Sequence, residues 1–354
     1  MYILGIESSC DETSAAVVEA CPDGRLCIRS NIVASQIDLH RRYGGVVPEI
    51  ASRAHTEAIS RITYDALECA GITLDEIGAV GVTYTPGLIG ALLVGVNFAK
   101  ALALTRGLPL IGVNHIKAHI AANFLKTEHG ALSTRPGALY PSEGPALAFV
   151  ASGGHTSILL MSGATDYVTL GRTRDDAVGE AFDKIGRVLG LPYPGGAELD
   201  RLAGEFYASG AKPSYKLPSA AIEGETLDFS FSGLKTSALD RINGLRQRGI
   251  EPDRAELSAA LTTTIVDSVT KRLDQAFDRT EALTLYAAGG VTANSHLRRG
   301  LERLAEKRGI FLHIPPRELC GDNGAMVAAQ AIFELRAGNL ADAALNGVAT
   351  GAEA

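Results

Sequence analysis

Cysteine is scarce and scattered. The five residues Cys10, Cys21, Cys27, Cys69 and Cys320 are odd in number and show no C-x-x-C spacing. That excludes a disulfide framework and a thiol redox or zinc motif, and makes a reducing, cytoplasmic compartment the expectation. Basic charge is also in deficit: 33 Lys and Arg stand against 40 Asp and Glu, a formal net charge of −7. Nonspecific coating of nucleic acid, which needs many cationic side chains on phosphates, is excluded. A nucleic-acid substrate would need a local basic patch. The candidates are Arg41 with Arg42, Arg172 with Arg174, Arg246 with Arg248, and the run Arg298, Arg299, Arg303, Lys307, Arg308. Each of these also reads as an ordinary solvated face. The start of the chain lacks the basic stretch and small-residue cleavage site of an export signal, running from Met1 into an apolar strand and on to Glu7, Asp11 and Glu12.

Charge is missing altogether from Ile77 to Ala99, a run long enough to cross a bilayer. Thr83, Tyr84, Thr85, Pro86 and Gly87 interrupt it, so it reads as a buried strand, a turn and a helix, and no membrane is expected. With 354 residues, 46% hydrophobic and 21% charged, the chain has material for two globular cores.

Glycine is plentiful, with 39 residues, many at the ends of apolar strands. Two strand-turn-strand units match in kind. One spans Ile3 to Val18 around Ser8-Ser9-Cys10-Asp11-Glu12-Thr13, the other Ala146 to Leu160 around Ser152-Gly153-Gly154-His155-Thr156. Each is followed by a strand-loop-helix-strand-loop-helix run, the first ending in His115 and a helix, the second in Asp322 and a helix. The duplication predicts an α/β protein of two similar lobes, with the site in a central cleft between them. The expected division is an N-terminal lobe over 1–130 that also takes a C-terminal helix at about 324–345, a C-terminal lobe over 131–323, and a frayed tail over 346–354. The proline- and glycine-rich loop from Gly130 to Pro145 is the expected boundary.

His115 and His119 have i, i+4 spacing, which on a helix puts both imidazoles within reach of one metal ion; a pair of surface histidines fits the spacing equally. Asp322 occupies the corresponding place in the second repeat, and two imidazoles with one carboxylate suit Fe(II) or Zn(II) with positions left open for substrate. A zinc peptidase would need the Glu of H-E-x-x-H, and Ile116 stands there. The turn containing Asp11 and Glu12 reads either as a phosphate and cation cradle or as a polar hairpin turn. Gly153 and Gly154 would expose successive amides to an anion, as against a plain turn. Gly289-Gly290 with Asn294 would serve a nucleotide or simply cap a helix. Asp183 and Asp200, near the glycine pair Gly195-Gly196, suit ribose hydroxyls or are helix-surface charges.

The segments Gly5 to Thr13, Tyr43 to Glu49, Asn114 to His119, Ser152 to Thr156, Asp228 to Thr236 and Asp322 to Met326 occur in the order of one family. In them the chain resembles the threonylcarbamoyltransferases, formerly called glycoproteases or sialoglycoprotein endopeptidases, of the actin-like ATPase, sugar-kinase and heat-shock ATPase superfamily. The resemblance covers nearly the whole chain; Ala151, Ala197 and Ser8 replace a usual valine, proline and threonine. It implies that His115, His119 and Asp322 hold one divalent metal per subunit, iron(II) ahead of zinc(II). It further implies that Val150, Ala151, Ser152, Gly153 and Gly154 bind the substrate's phosphate and threonylcarbamoyl parts, and that Asp183, Gly196, Asp200 and Asn294 hold adenosine. The implied reaction passes a threonylcarbamoyl group from threonylcarbamoyl-AMP to an adenosine beside the anticodon of tRNA and releases AMP, with Asp11 or Glu12 helping to deprotonate the amine. Companion proteins, an inactive paralogue and a small ATPase in bacteria, are the implied partners. An ATP-dependent kinase or ATPase, a metalloprotease and a non-catalytic nucleotide-binding regulator are the competing readings.

Overall fold

The computed structural model describes residues 1–126 and 144–350. Pro136 and Pro141 of the expected boundary loop lie outside them. In chain order the elements are β1 (Tyr2–Glu7), β2 (Glu12–Ala20), β3 (Leu26–Ser35), α1 (Ile37–Arg41), α2 (Pro48–Ala70), β4 (Ile77–Thr85), α3 (Ile89–Arg106), β5 (Leu110–Asn114), α4 (His115–Ala121) and β6 (Leu125–Lys126). There follow β7 (Ala146–Ala151), β8 (Thr156–Met161), β9 (Tyr167–Arg172), α5 (Val178–Val188), α6 (Gly195–Ala208), α7 (Ser232–Gln247), α8 (Arg254–Asp278), β10 (Thr284–Ala288), α9 (Ser295–Arg308), β11 (Phe311–His313) and α10 (Gly324–Arg336).

The chain forms two compact units. The first comprises the described residues of Met1–Ser142, with Gly163–Asp166 and Pro315–Ala354; the second comprises those of Glu143–Ser162, with Tyr167–Ile314. The division falls at Pro315, upstream of Asp322, so that aspartate shares a unit with His115 and His119.

In the first unit the sheet order is β5-β4-β1-β2-β3-β6, with β1 parallel to β4 and antiparallel to β2. β1 is apolar almost throughout because helices cover both sheet faces. Alternation sends Ile3, Ala16, Ala79 and Val113 into one core with α10, and Leu4, Ile6, Val17 and Val82 into another with α2 and α3. α3 is long and apolar enough by composition to cross a membrane. One face of it, including Leu92, Val96 and Ala99, is buried, and it packs against α2 and β4. α2 and α3 end at Gly71 and Gly107 in the left-handed conformation, where a side chain would strain the backbone. The expected fraying of the tail is not found up to Ala349. Gly87 N–H donates to the Ala349 carbonyl at 3.1 Å and Val348 N–H to the Tyr84 carbonyl at 2.8 Å.

In the second unit the order is β11-β10-β7-β8-β9, the same topology strand for strand as β5-β4-β1-β2-β3. Leu147, Phe149, Ile158 and Leu285 build its core with Phe182 of α5, Leu261 and Ile265 of α8 and Leu301 of α9.

Candidate functional site

Asn114 ends β5 and caps α4, accepting from the Ile116 and Lys117 amides at 2.9 and 3.3 Å. The helix therefore starts at His115, and His115 and His119 share one face. Asn323 fixes the other part of the site: it caps α10 through the Met326 amide at 3.0 Å and donates to the Gly321 carbonyl at 2.8 Å. The Gly324 amide donates to Ser14 Oγ on β2 at 2.7 Å. That turn delivers Asp322, whose Oδ1 lies 3.6 Å from His115 Nε2 and 3.2 Å from His119 Nε2. A ligand atom of each of the three residues lies within 4.8 Å of the others, a grouping that can hold a metal ion. His119 is fully buried with neither ring nitrogen in hydrogen-bonding geometry, although Asp322 is near. A buried nitrogen left so carries a desolvation penalty that a cation would offset. The residues present fit a divalent metal.

Glu7, fully buried at the end of β1, stands behind His115. Its Oε2 lies 3.1 Å from His115 Nδ1 and accepts from Thr83 Oγ1 at 2.7 Å, and its Oε1 accepts from the Ser9 amide at 2.5 Å. A carboxylate on Nδ1 keeps a proton there and orients the ring, so that Nε2, on the Asp322 side, is the nitrogen that could take a cation in place of its proton. Burial disfavours the charged form of His115, but Asp322 and Glu7 outweigh it and hold its pKa at about 9. Burial and then the neighbouring His115 push His119 down. Glu7→Gln should lower metal affinity by roughly 10- to 100-fold with the fold retained, read by chelator competition; unchanged affinity would remove Glu7 from the site.

Asp11 is buried, and Glu12 begins β2. Burial first, then Asp322 and Asp11, push the Glu12 carboxyl up to about 10, so it carries a proton at neutral pH. A cation beside Asp322 would remove the second of those causes. His55 of α2 pins the same turn, with Nε2 3.0 Å from the Cys10 carbonyl and Nδ1 2.7 Å from Thr13 Oγ1. Glu7 and Ser9 were visible in the sequence only as parts of a motif, their signal being polar residues closing an apolar strand. His55 carried no signal, since it lies 42 residues from Thr13.

The second unit holds the remaining expected residues. Val150 and Ala151 are buried at the end of β7, and Ser152 is buried and exchanges hydrogen bonds with His155 across the turn. A Cβ added at Gly153 or Gly154 would meet nothing within 4 Å; the space beside the loop is open. The loop is backed by α5, where a Cβ at Gly179 would come within 2.6 Å of the Ser152 carbonyl oxygen. Gly289, at a φ of 91°, packs its Cα against Ala151 in the same way. Asn294 Oδ1 caps α9 through the His296 and Leu297 amides, while its buried Nδ2 has no hydrogen-bond partner. One donor is thus available to a ligand. Asp183 Oδ1 accepts from the Gly195 amide at 2.7 Å, at the glycine pair. Asp200 accepts from the Ser295 amide and hydroxyl and from His296 Nδ1 at 2.8 Å, bracing α6 to α9.

The tRNA N6-adenosine threonylcarbamoyltransferase (TsaD) family matches residues 27–329. The chain belongs to that family. A relative from Clostridium perfringens, a tRNA N6-adenosine threonylcarbamoyltransferase, is 46% identical over 344 residues, 97% of this chain and 96% of its own. Another from Geobacillus kaustophilus is 47% identical over 347 residues, 98% of this chain and 95% of its own. Solved structures show the fold. T. kodakarensis HypF superposes with a TM-score of 0.60 at 14% identity over 95% of this chain and 48% of its own. Component A of the Acidaminococcus fermentans (R)-2-hydroxyglutaryl-CoA dehydratase gives 0.53 at 14% over 95% and 99%. These likenesses show the fold alone; by its family the chain is a transferase of tRNA modification. Phosphoryl transfer from ATP and peptide hydrolysis, the competing readings of the sequence, are not favoured.

Proposed function

We propose that the threonylcarbamoyl donor is threonylcarbamoyl-AMP and that the acceptor is the exocyclic amine of the adenosine beside the anticodon, in tRNAs reading codons that begin with A. The amine nitrogen bonds to the carbamoyl carbon, the bond from that carbon to the phosphate oxygen breaks, and AMP leaves with the electron pair. The observation carrying this reading is the convergence of His115, His119 and Asp322, oriented by Glu7. These residues would hold one divalent cation, iron(II) ahead of zinc(II), because two imidazoles and one carboxylate leave coordination positions open. When bound, the cation supplies Lewis-acid polarisation of a substrate oxygen. The Val150 to Gly154 turn binds the phosphate and developing negative charge, with the Gly153 and Gly154 amides as its donors. Asn294 Nδ2 and Gly196 hold the adenosine, with Asp183 and Asp200 setting the backbone around it. Asp11 or Glu12 helps to take the amine proton.

The net negative charge supports companion proteins, a related inactive paralogue and a small ATPase, supplying part of the RNA surface, in the cytoplasm. The test combines the full chain with its companions, threonylcarbamoyl-AMP and unmodified tRNA, and follows the nucleosides by mass spectrometry. Threonylcarbamoyladenosine should form in step with AMP. ATP turnover with unchanged tRNA would replace this reading with a kinase or regulator.

A further inference from the structure

Most of the basic residues singled out in the sequence are committed to internal partners. Arg174 pairs with Asp228, Arg246 with Glu251, and Lys307 and Arg308 with Asp274, while Arg298 Nε donates to the Thr292 carbonyl. Arg299 and Arg303 are different. Both are exposed, and no hydrogen bond or ion pair engages either guanidinium among the described residues. They lie with His296 at i, i+3 and i+7 on one face of α9, along a cavity of about 450 Å³ closed by α8 and by Tyr207 of α6.

Two residues of the cavity wall carry a buried polar atom without a partner. Thr262 Oγ1, on a residue 1% exposed, has no hydrogen bond, and neither has the buried His296 Nε2. Because the Asp200 carboxylate only accepts, His296 Nδ1 carries the proton of their 2.8 Å bond, and Nε2 is the ring atom left for a ligand. The Asp267 carboxylate also lines it, exposed and unpaired with either arginine. The site therefore offers guanidiniums for an anion beside the Asp267 carboxylate, an acceptor for a hydroxyl hydrogen. It provides little for a base: Val266 is its aliphatic wall, and the Tyr207 ring is already against the His296 ring at 5.2 Å.

We propose that this α6–α8–α9 cavity binds a ribose-phosphate unit of the tRNA backbone, the phosphate on Arg299 and Arg303 and a ribose hydroxyl on His296 and Asp267, with the base left outside. It rests on the reading that the chain acts on tRNA. Phosphate contacts position an RNA without reading its sequence, so the site orients tRNA for any anticodon it accepts. Asp200 links His296 to the start of α9, where Asn294 stands.

The probe is an unmodified tRNA transcript titrated into the full chain by fluorescence anisotropy at several salt concentrations. The R299A/R303A variant should bind tRNA about 10- to 100-fold more weakly at 0.1 M salt, with the slope of log affinity against log salt reduced by about 1. Threonylcarbamoyl transfer by R299A/R303A should show a raised KM for tRNA with kcat kept. Unchanged tRNA affinity and slope in the double variant would overturn the proposal. So would inorganic phosphate or AMP binding that depends on both arginines while tRNA binding does not, since the cavity would then be a small-anion site. A chain that loses tRNA affinity in the double variant yet makes no threonylcarbamoyladenosine would uphold this site and defeat the proposed reaction.

Discussion

Asp322→Ala should leave a folded protein with less than about a tenth of its metal and a transfer rate lower by on the order of 1,000-fold. Partners that merely orient a metal ligand are typically worth 10- to 100-fold, and a ligand itself should cost more. Folding should survive because Asp322 adds negative charge to a corner that already holds Glu7, Asp11 and Glu12, and its charge is one of the causes raising the Glu12 pKa. Removing it relieves repulsion as well as removing a ligand. His119→Ala should behave alike in metal content while also opening a cavity, since His119 is fully buried. Metal analysis and single-turnover transfer on the same preparation check the result; full metal occupancy in Asp322→Ala would contradict the ligand set.

Gly5→Ala should destabilise the first unit by about 3 kcal/mol, at the upper end of ordinary overpacking, lowering its Tm by roughly 6–12 °C. A Cβ on Gly5 would come within 2.2 Å of the Gly324 carbonyl oxygen and 2.5 Å of the Ala328 nitrogen. Both are backbone atoms of α10, which cannot step aside as a side-chain tip can. The displacement would start at Gly324, two residues from Asp322, so metal content should fall together with stability. The same change at Gly154, where a Cβ meets nothing within 4 Å, should leave Tm where it is. Equal Tm values for Gly5→Ala and the unaltered chain would show that α10 does not rest on β1 as described.

The sequence made the duplication legible because it is local: each unit writes strand, polar turn and strand in the same order, and the two sheets repeat that topology. The i, i+4 histidines were legible for the same reason. Asp322 could be placed only through its position in the repeat, and what delivers it is tertiary, the Asn323 cap and the Gly324 amide on Ser14 of β2. Glu7 illustrates the limit. In β1 it reads as the polar end of an apolar strand, and its work becomes visible only when β5 and α4 bring His115 against it from 108 residues away. The basic clusters show the same limit from the other side, since charge spacing does not reveal that Arg308 pairs with Asp274 while neither the Arg299 nor the Arg303 guanidinium is engaged among the described residues.

X-ray absorption at the edge of the bound metal, on the full chain as purified, addresses the centre itself. Two imidazole nitrogens and a carboxylate oxygen at about 2.0–2.2 Å, with the remaining positions filled by light atoms, are the expected ligands. A sulfur shell near 2.3 Å, or a spectrum unaltered in Asp322→Ala, would place the metal elsewhere and remove the chemistry assigned to these three side chains.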